Sequence, residues 1–443
     1  MRNIFSFPFL KPVSPSELGY TESFGGREAE IRKIVSIISK RQHRSVLIWG
    51  EFGVGKSSLI DKLIWTITSK YDPEYSFFEL DVAGLIAQSK ENVNAFFYDL
   101  NPILRKNSKM VLIINNLENM VCSGYNFQTE LMKLLAVPSI CVLATVDTLE
   151  ADIGYKNLYN MFFQINLTDP TASETAEMIN QQVSDIAEFH GVTISKKFTK
   201  WLVYCSEFVF SVSQPKRSVD LIDTVMAHAK LLGHSNVTKE DFFDFFGSDF
   251  QKFYHLSSEQ KRYTAIHELG HFIVHLDAES TLCLSPCLVS IIPKGTLEGV
   301  TSIEVVKTKT PAYDRTYYIQ NIASSLAGKI AEEIFSIPVN AGSSLDLDEA
   351  NELAEEYASK TGMNPKLNDR IFDEDLSSLD EDTLISINEG VDSILEEARN
   401  YAESVIRNNK DIIESILPHL TENGILTRPE IDEIISTKHS LDN

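Results

Sequence analysis

Over its first half the chain alternates short, mostly apolar runs with longer amphipathic stretches. The runs at 45–49, 77–82, 110–114, 140–146 and 162–165 read as short strands. The spacing between them leaves room for crossover helices, so the pattern predicts a buried parallel sheet covered by helices on both faces. A helical period precedes the first run, from Gly26 to about Lys40, and from Ala172 to Phe245 the pattern is helical throughout. Further on, 263–276 reads as an apolar helix carrying a few polar residues, and 373–409 reads as acidic amphipathic helices with solvated faces. Residues 1–20, with Pro8, Pro12 and Pro15, are expected as an extended arm. The fold class expected is therefore α/β in the first half, with a parallel sheet and a helical lid, followed by a mostly α domain.

The chain has 443 residues, more than one core comfortably serves, so two or three domains are expected. A formal net charge of -23 argues against a nucleic-acid-binding surface. Cys122, Cys141, Cys205, Cys283 and Cys287 make no paired framework, which suits a reducing compartment; Cys283 and Cys287 read as buried residues and not as ligands. No run of about 18 apolar residues occurs, so no membrane span is expected. The start is too short and proline-broken for a signal peptide, and a soluble cytoplasmic protein is the expectation.

Two stretches carry chemistry. The polar residues of the apolar helix are His267-Glu268-Leu269-Gly270-His271, a His-Glu-x-x-His pattern. Helical positions four apart lie about 40° apart around the axis and roughly 6 Å apart along it, so His267 and His271 can share one Zn2+. Glu268 then lies where a carboxylate can take a proton from water. His275, eight residues after His267, would be about 12 Å away along a continuous helix and is read as a flank or core residue. The second stretch is Gly50-Glu51-Phe52-Gly53-Val54-Gly55-Lys56-Ser57, a complete Gly-x-x-x-x-Gly-Lys-Ser loop with a strand before it and a helix after. Backbone N–H groups of such a loop wrap phosphates, Lys56 reaches the terminal phosphates, and the Ser57 hydroxyl reaches Mg2+.

Residues 21–245 resemble the first nucleotide-binding domain of Clp-type AAA+ unfoldases. The resemblance rests on Gly25-Gly26-Arg27-Glu28-Ala29-Glu30-Ile31, the phosphate loop, Cys141-Val142-Leu143-Ala144-Thr145-Val146-Asp147 at the sensor-1 strand, and the helix of residues 215–223. It implies ATP or ADP with Mg2+, held by Gly50, Gly53, Val54, Gly55, Lys56, Ser57 and Ser58, with Asn115, Thr145 and Arg217 as further contacts. Three departures stand out. Where the family carries Asp-Glu after the third strand, this chain has Asn115-Asn116, and Asn116 cannot act as a base. Glu118, two residues on, could substitute only if the backbone bulges there. Met161 and Phe162 occupy the arginine-finger position, and Gln88-Ser89-Lys90-Glu91-Asn92 lacks the aromatic pore residue. The expectation is a domain that binds nucleotide and hydrolyses it slowly or not at all, since an arginine finger alone is worth several orders of magnitude in rate.

From about 255 to 437 the chain resembles the peptidase domain of the FtsH family of zinc metalloproteases. The residues that carry this are Thr264-Ala265-Ile266-His267-Glu268-Leu269-Gly270-His271, Val289-Ser290-Ile291-Ile292-Pro293-Lys294-Gly295, Gly299-Val300-Thr301, Leu326-Ala327-Gly328-Lys329-Ile330-Ala331-Glu332-Glu333 and Leu426-Thr427-Arg428-Pro429. A catalytic zinc needs a third protein ligand. The resemblance implies Asp346, in Ser343-Ser344-Leu345-Asp346-Leu347, with Asp348 as the register-slip alternative. Glu332 and Glu333 are read as stabilising the helix packed under the site. Peptide substrate would add as an extended strand, and 288–293 offers either an edge for it or a core strand. Both resembled families imply a homo-oligomer, a hexamer, acting on protein or peptide. The expected layout is an arm at 1–20, an α/β nucleotide-binding subdomain at 21–168, a helical lid at 169–250, the peptidase domain at 251–437 and a short tail.

Overall fold

A computed structural model describes residues 7–14, 25–121, 127–149, 156–293, 298–307, 309–338, 341–372 and 379–441. The chain divides into two compact units, Met1–Thr238 and Lys239–Asn443.

The first unit is built on a six-stranded sheet of β1 (Leu10–Val13), β2 (Val46–Trp49), β3 (Ser76–Leu80), β4 (Met110–Ile114), β5 (Cys141–Val146) and β6 (Phe163–Asn166), in the order β1-β3-β4-β5-β2-β6. All pairings are parallel except β1 on β3. Alternation explains the continuous apolar runs: Val111 and Ile113 of β4 join one core with Ile34, Leu63 and Leu143, while Leu112 and Ile114 join the other with Leu100 and Val142. Of the proline-containing arm, residues 7–14 are described; they turn at Pro8 and Phe9, after which Leu10–Val13 is extended and pairs with β3. Pro12 is tolerated because β1 is an edge strand. After β6 the unit is helical, with Ala172–Met178, Asn180–His190, Lys196–Val209 and Lys216–Leu231 in sequence. A capping box, Thr171 with Glu174, starts the first of these.

The second unit centres on the helix Ser258–Leu282, longer at both ends than its apolar stretch predicts. Ser257 and Gln260 form a capping box at its start, and Cys283, in the left-handed region at φ 55, ends it. Ala265, Ile266, Leu269, Phe272, Ile273 and Val274 are all buried, so the helix is enclosed around most of its circumference. Its main partner is the helix Arg315–Ile334, which itself packs on Ser344–Lys360 and Glu381–Asn408. The first pair comes close because Gly270 has no side chain: a Cβ there would lie 2.6 Å from the Ala327 carbonyl oxygen and 2.7 Å from the Ala331 Cβ.

A three-stranded antiparallel sheet completes the unit, from β7 (Leu284–Ser290), β8 (Val300–Val305) and β9 (Ile425–Thr427), in the order β8-β7-β9. The open question about 288–293 is thereby resolved: β7 is the central strand, paired on both sides, and β8 lies at the edge. Cys283 and Cys287 are buried, as expected, and neither is in a disulfide. Cys122, Lys294 and Gly295 lie outside the described residues.

Candidate functional site

His267 and His271 point their Nε2 atoms to one side of the helix Ser258–Leu282, where they lie 3.1 Å apart. Asp346 enters from the first turn of the helix Ser344–Lys360, its Oδ2 3.1 Å from His267 Nε2 and 3.5 Å from His271 Nε2. Among the described residues these three form the one cluster of His, Cys, Asp or Glu able to hold a metal ion. Asp348, the register alternative, does not belong to it, and neither does His275.

The triangle is close to the dimensions of a tetrahedral zinc site, with one edge at 3.5 Å and two, at 3.1 Å, slightly shorter. At metal–ligand distances of 2.0–2.2 Å, neighbouring ligand atoms of a tetrahedron are about 3.3–3.6 Å apart. The chemistry of the donors fits as well. His267 Nδ1 lies 2.9 Å from Glu332 Oε1 and His271 Nδ1 lies 2.7 Å from the Ser324 carbonyl oxygen. Both partners accept hydrogen bonds, so in the neutral rings each Nδ1 carries the proton and each Nε2 turns a lone pair inward. Two lone pairs and a carboxylate at this range repel unless positive charge lies between them. The demand for it is visible in His267: burial works against an imidazolium, yet the bonds to Asp346 and Glu332 raise its pKa to about 10. Burial likewise opposes ionised Asp346, and the two imidazoles outweigh it and hold the carboxyl well below the usual range.

Space is reserved in the same place. Gly328, on the helix Arg315–Ile334, faces the ring edges: a Cβ there would lie 2.5 Å from His271 Nε2 and 2.6 Å from His267 Nε2. Glu268 is almost wholly buried beside the triangle. Thr301 of edge strand β8 holds it, with Oγ1 2.8 Å from Glu268 Oε2 and 2.9 Å from the Glu268 carbonyl oxygen. Burial raises the Glu268 carboxyl, against the pull of both histidines and the Thr301 hydroxyl. A carboxylate held beside the triangle is placed to accept a proton and to return it.

Sequence reasoning missed several members of this site. Glu332 was expected only to support its helix, but it fixes His267, while its neighbour Glu333 pairs with Arg399 on the surface. Gly328 and Glu332 are four apart and so share a helix face, a spacing that could have singled them out. Ser324 acts through its backbone and Thr301 comes from a strand, and neither leaves such a signal.

In the first unit, β2 delivers the phosphate loop and the helix Lys56–Thr66 follows directly. Gly53 and Gly55 adopt positive φ, 96° and 97°, which turns their backbone into the loop. Val54 is buried beneath it, and Ser57 and Ser58 open the helix. Lys56 Nζ donates to the Gly50 and Glu51 carbonyls and to Asp147 Oδ1 at 2.6 Å. Asn115 and Thr145 lie at the ends of β4 and β5; the Asn115 amide donates to Glu79 at 2.7 Å, and the Thr145 hydroxyl accepts the Asn116 N–H at 2.9 Å. Arg217 reaches Asp169 at 3.6 Å and Glu207 at 3.9 Å. The backbone just before it touches the loop: Ser213 N–H donates to the Phe52 carbonyl and Lys216 N–H to that of Gly53, both at 3.3 Å.

Residues 254–434 match peptidase family M41. Residues 171–264 match the AAA lid domain. Among curated relatives, an ATP-dependent zinc metalloprotease FtsH of Ruminiclostridium cellulolyticum is 30% identical over 224 residues, which is 48% of this chain and 35% of that protein. The chaperone protein ClpB of Lactococcus lactis subsp. cremoris is 26% identical over 251 residues, 52% of this chain and 28% of that protein. An FtsH of Protochlamydia amoebophila is 30% identical over 193 residues, 41% and 21%. The chain thus spans about a third or less of the length of these relatives. A segment similar to M41 peptidases and a segment similar to the AAA lid domain thus stand together in one chain. No described helix is long and apolar enough to cross a membrane.

Proposed function

We propose that the second unit is a zinc-dependent endopeptidase and that the first is a nucleotide-binding AAA+ module regulating it. The observation that carries the peptidase reading is the convergence of His267 Nε2, His271 Nε2 and Asp346 Oδ2 at 3.1–3.5 Å, with both Nδ1 atoms committed elsewhere. Zn2+ held by these three would supply Lewis-acid chemistry, polarising a scissile carbonyl and lowering the pKa of a water. Glu268 takes a proton from that water and returns it to the leaving amine. Thr301 holds Glu268 in place, and Glu332 and the Ser324 carbonyl keep the two imidazoles in the ligating tautomer. A peptide would add as an extended strand along β8, the edge strand whose Thr301 touches Glu268, and not along central β7.

In the first unit, Gly50, Gly53, Val54, Gly55, Lys56, Ser57 and Ser58 would cradle ATP or ADP with Mg2+, with Asn115 and Thr145 beyond the phosphates and Arg217 at the lid. With no base at Asn116, no arginine at Met161 or Phe162 and no aromatic residue in 88–92, nucleotide serves mainly as an assembly or switching ligand of a homo-oligomer, on the family pattern a cytoplasmic hexamer. The test is degradation of an unfolded protein by wild type and by Glu268→Gln, each with and without ATP, with zinc content measured. Cleavage by wild type that is lost in Glu268→Gln at equal zinc content is expected. Zinc bound with no cleavage under any condition would leave a nucleotide-dependent scaffold instead.

A further inference from the structure

Glu118 does not lie on a strand, because β4 ends at Ile114 and the chain turns there. Asn116 lies at φ 51, in the left-handed region, two residues beyond the end of β4. The Thr145 hydroxyl pins the turn by accepting the Asn116 N–H at 2.9 Å, and a short helix, Leu117–Val121, begins at once. The kink turns Glu118 off the strand direction, so it no longer shares the Asn116 face. Its carboxylate accepts the backbone N–H of Asp147, whose own side chain holds Lys56 of the phosphate loop at 2.6 Å. Among the described residues Glu118 Oε2 is buried and has no hydrogen-bond donor. That oxygen keeps its acceptor capacity unused, on a carboxylate bonded to the backbone of the residue that holds the loop lysine.

We propose that Glu118 is the base for nucleotide hydrolysis in this chain, replacing the glutamate missing at Asn116. The proposal rests on the reading of Gly50–Ser58 as a nucleotide site. In the step, a water oxygen bonds to the γ-phosphorus as the bond from phosphorus to the β–γ bridging oxygen breaks. Glu118 accepts the proton the water loses and passes it to the phosphate, and ADP leaves with the electron pair of the broken bond. Asn116 is the positioning residue: asparagine tolerates the left-handed conformation, whereas a β-branched residue resists it. The finger missing at Met161 and Phe162 keeps the overall rate low, so the assignment predicts a slow hydrolase and not an inert one.

The experiment is single-turnover phosphate release from Mg-ATP by the full chain, alongside equilibrium binding of a fluorescent ATP analogue. Wild type should release phosphate above the level of Lys56→Ala. Glu118→Gln should slow release at least about tenfold, with analogue affinity within about threefold of wild type. Asn116→Val should slow it similarly, and Asn116→Gly, which accepts positive φ, should retain it. Analogue binding without release, or Glu118→Gln releasing at the wild-type rate, would overturn the assignment alone. Failure of wild type to bind the analogue would overturn the nucleotide reading, and this assignment with it.

Discussion

Replacing Gly328 by alanine tests the metal centre without touching a ligand. A Cβ at this position would lie 2.5 Å from His267 Cε1, 2.5 Å from His271 Nε2 and 2.6 Å from His267 Nε2, where ordinary contact begins near 3.4 Å. The rings and the helix Arg315–Ile334 must therefore separate by about 0.9 Å, in an interior packed too densely to absorb it elsewhere. Zinc sites tolerate ligand displacements of only about 0.2 Å. Loss of an outer partner alone costs about 10- to 100-fold in metal affinity, so moving both imidazoles should cost at least about 100-fold. Cleavage should fall by a similar factor, because a misplacement of about 1 Å is worth that much in rate. Stability should change far less. Overpacking costs about 1–3 kcal/mol, and alanine in mid-helix returns about 0.5–1 kcal/mol relative to glycine. The assay is zinc retained per chain during titration with a chelator, with peptide cleavage and a thermal melt on the same samples. A folded Gly328→Ala protein that keeps zinc at wild-type affinity and cleaves within about threefold of wild type would refute the reasoning.

Thr301→Val keeps the shape and removes the hydroxyl that lies 2.8 Å from Glu268 Oε2. A hydrogen bond to a charged group is worth about 1.5–3 kcal/mol, so cleavage should drop about 10- to 100-fold with zinc content unchanged. His275 is mostly buried, its Nδ1 has no partner among the described residues, and burial together with His271 pushes its pKa down to about 4. It should therefore draw stability out of the fold as pH falls from about 6.5 towards 4, since the unfolded chain takes up the proton first. His275→Leu should flatten that part of the acid melt while retaining zinc. Asp61 is raised to about 6 by burial and by Glu79, so the fold disfavours its charge above that pH. Asp61→Asn should stabilise the first unit by about 1 kcal/mol at pH 7 after allowance for solvent screening, seen as a higher melting temperature, with the gain vanishing below about pH 4.

The elements legible in the sequence were those written in one periodicity. The apolar runs of β2, β4 and β5 have one reading, because a strand buried on both faces has no polar positions to dilute it. His267, Glu268 and His271 were legible for the same kind of reason: helix geometry converts a spacing of four into a shared direction. Asp346 came only from family resemblance, because nothing local to 341–347 says what its helix faces. The supports were not legible. Thr301 reaches Glu268 across 33 positions and Ser324 reaches His271 across 53. The Asn116 kink was equally hidden, since asparagine allows left-handed backbone without requiring it, and the Thr145 hydroxyl that fixes it lies on another strand. Long-range pairing decided all three.

The two sites differ in how much they need from outside. Every described residue placed around the metal triangle belongs to Lys239–Asn443, so the cleavage proposed above draws its catalytic groups from the second unit. On the reading proposed above no arginine stands at Met161 or Phe162, and the proposed base Glu118 compensates for only one of the departures. An effect of ATP on cleavage must then come from a difference in its affinity for two states of the protein and can be no larger than that difference. The coupling is reciprocal for binding. If ATP tightens peptide binding to Glu268→Gln tenfold, saturating peptide must tighten ATP binding tenfold, about 1.4 kcal/mol measured from either side. A threading motor need not obey that equality, because hydrolysis drives it away from equilibrium. Agreement between the two measurements therefore identifies a switch, and an imbalance that disappears with a non-hydrolysable analogue identifies a motor.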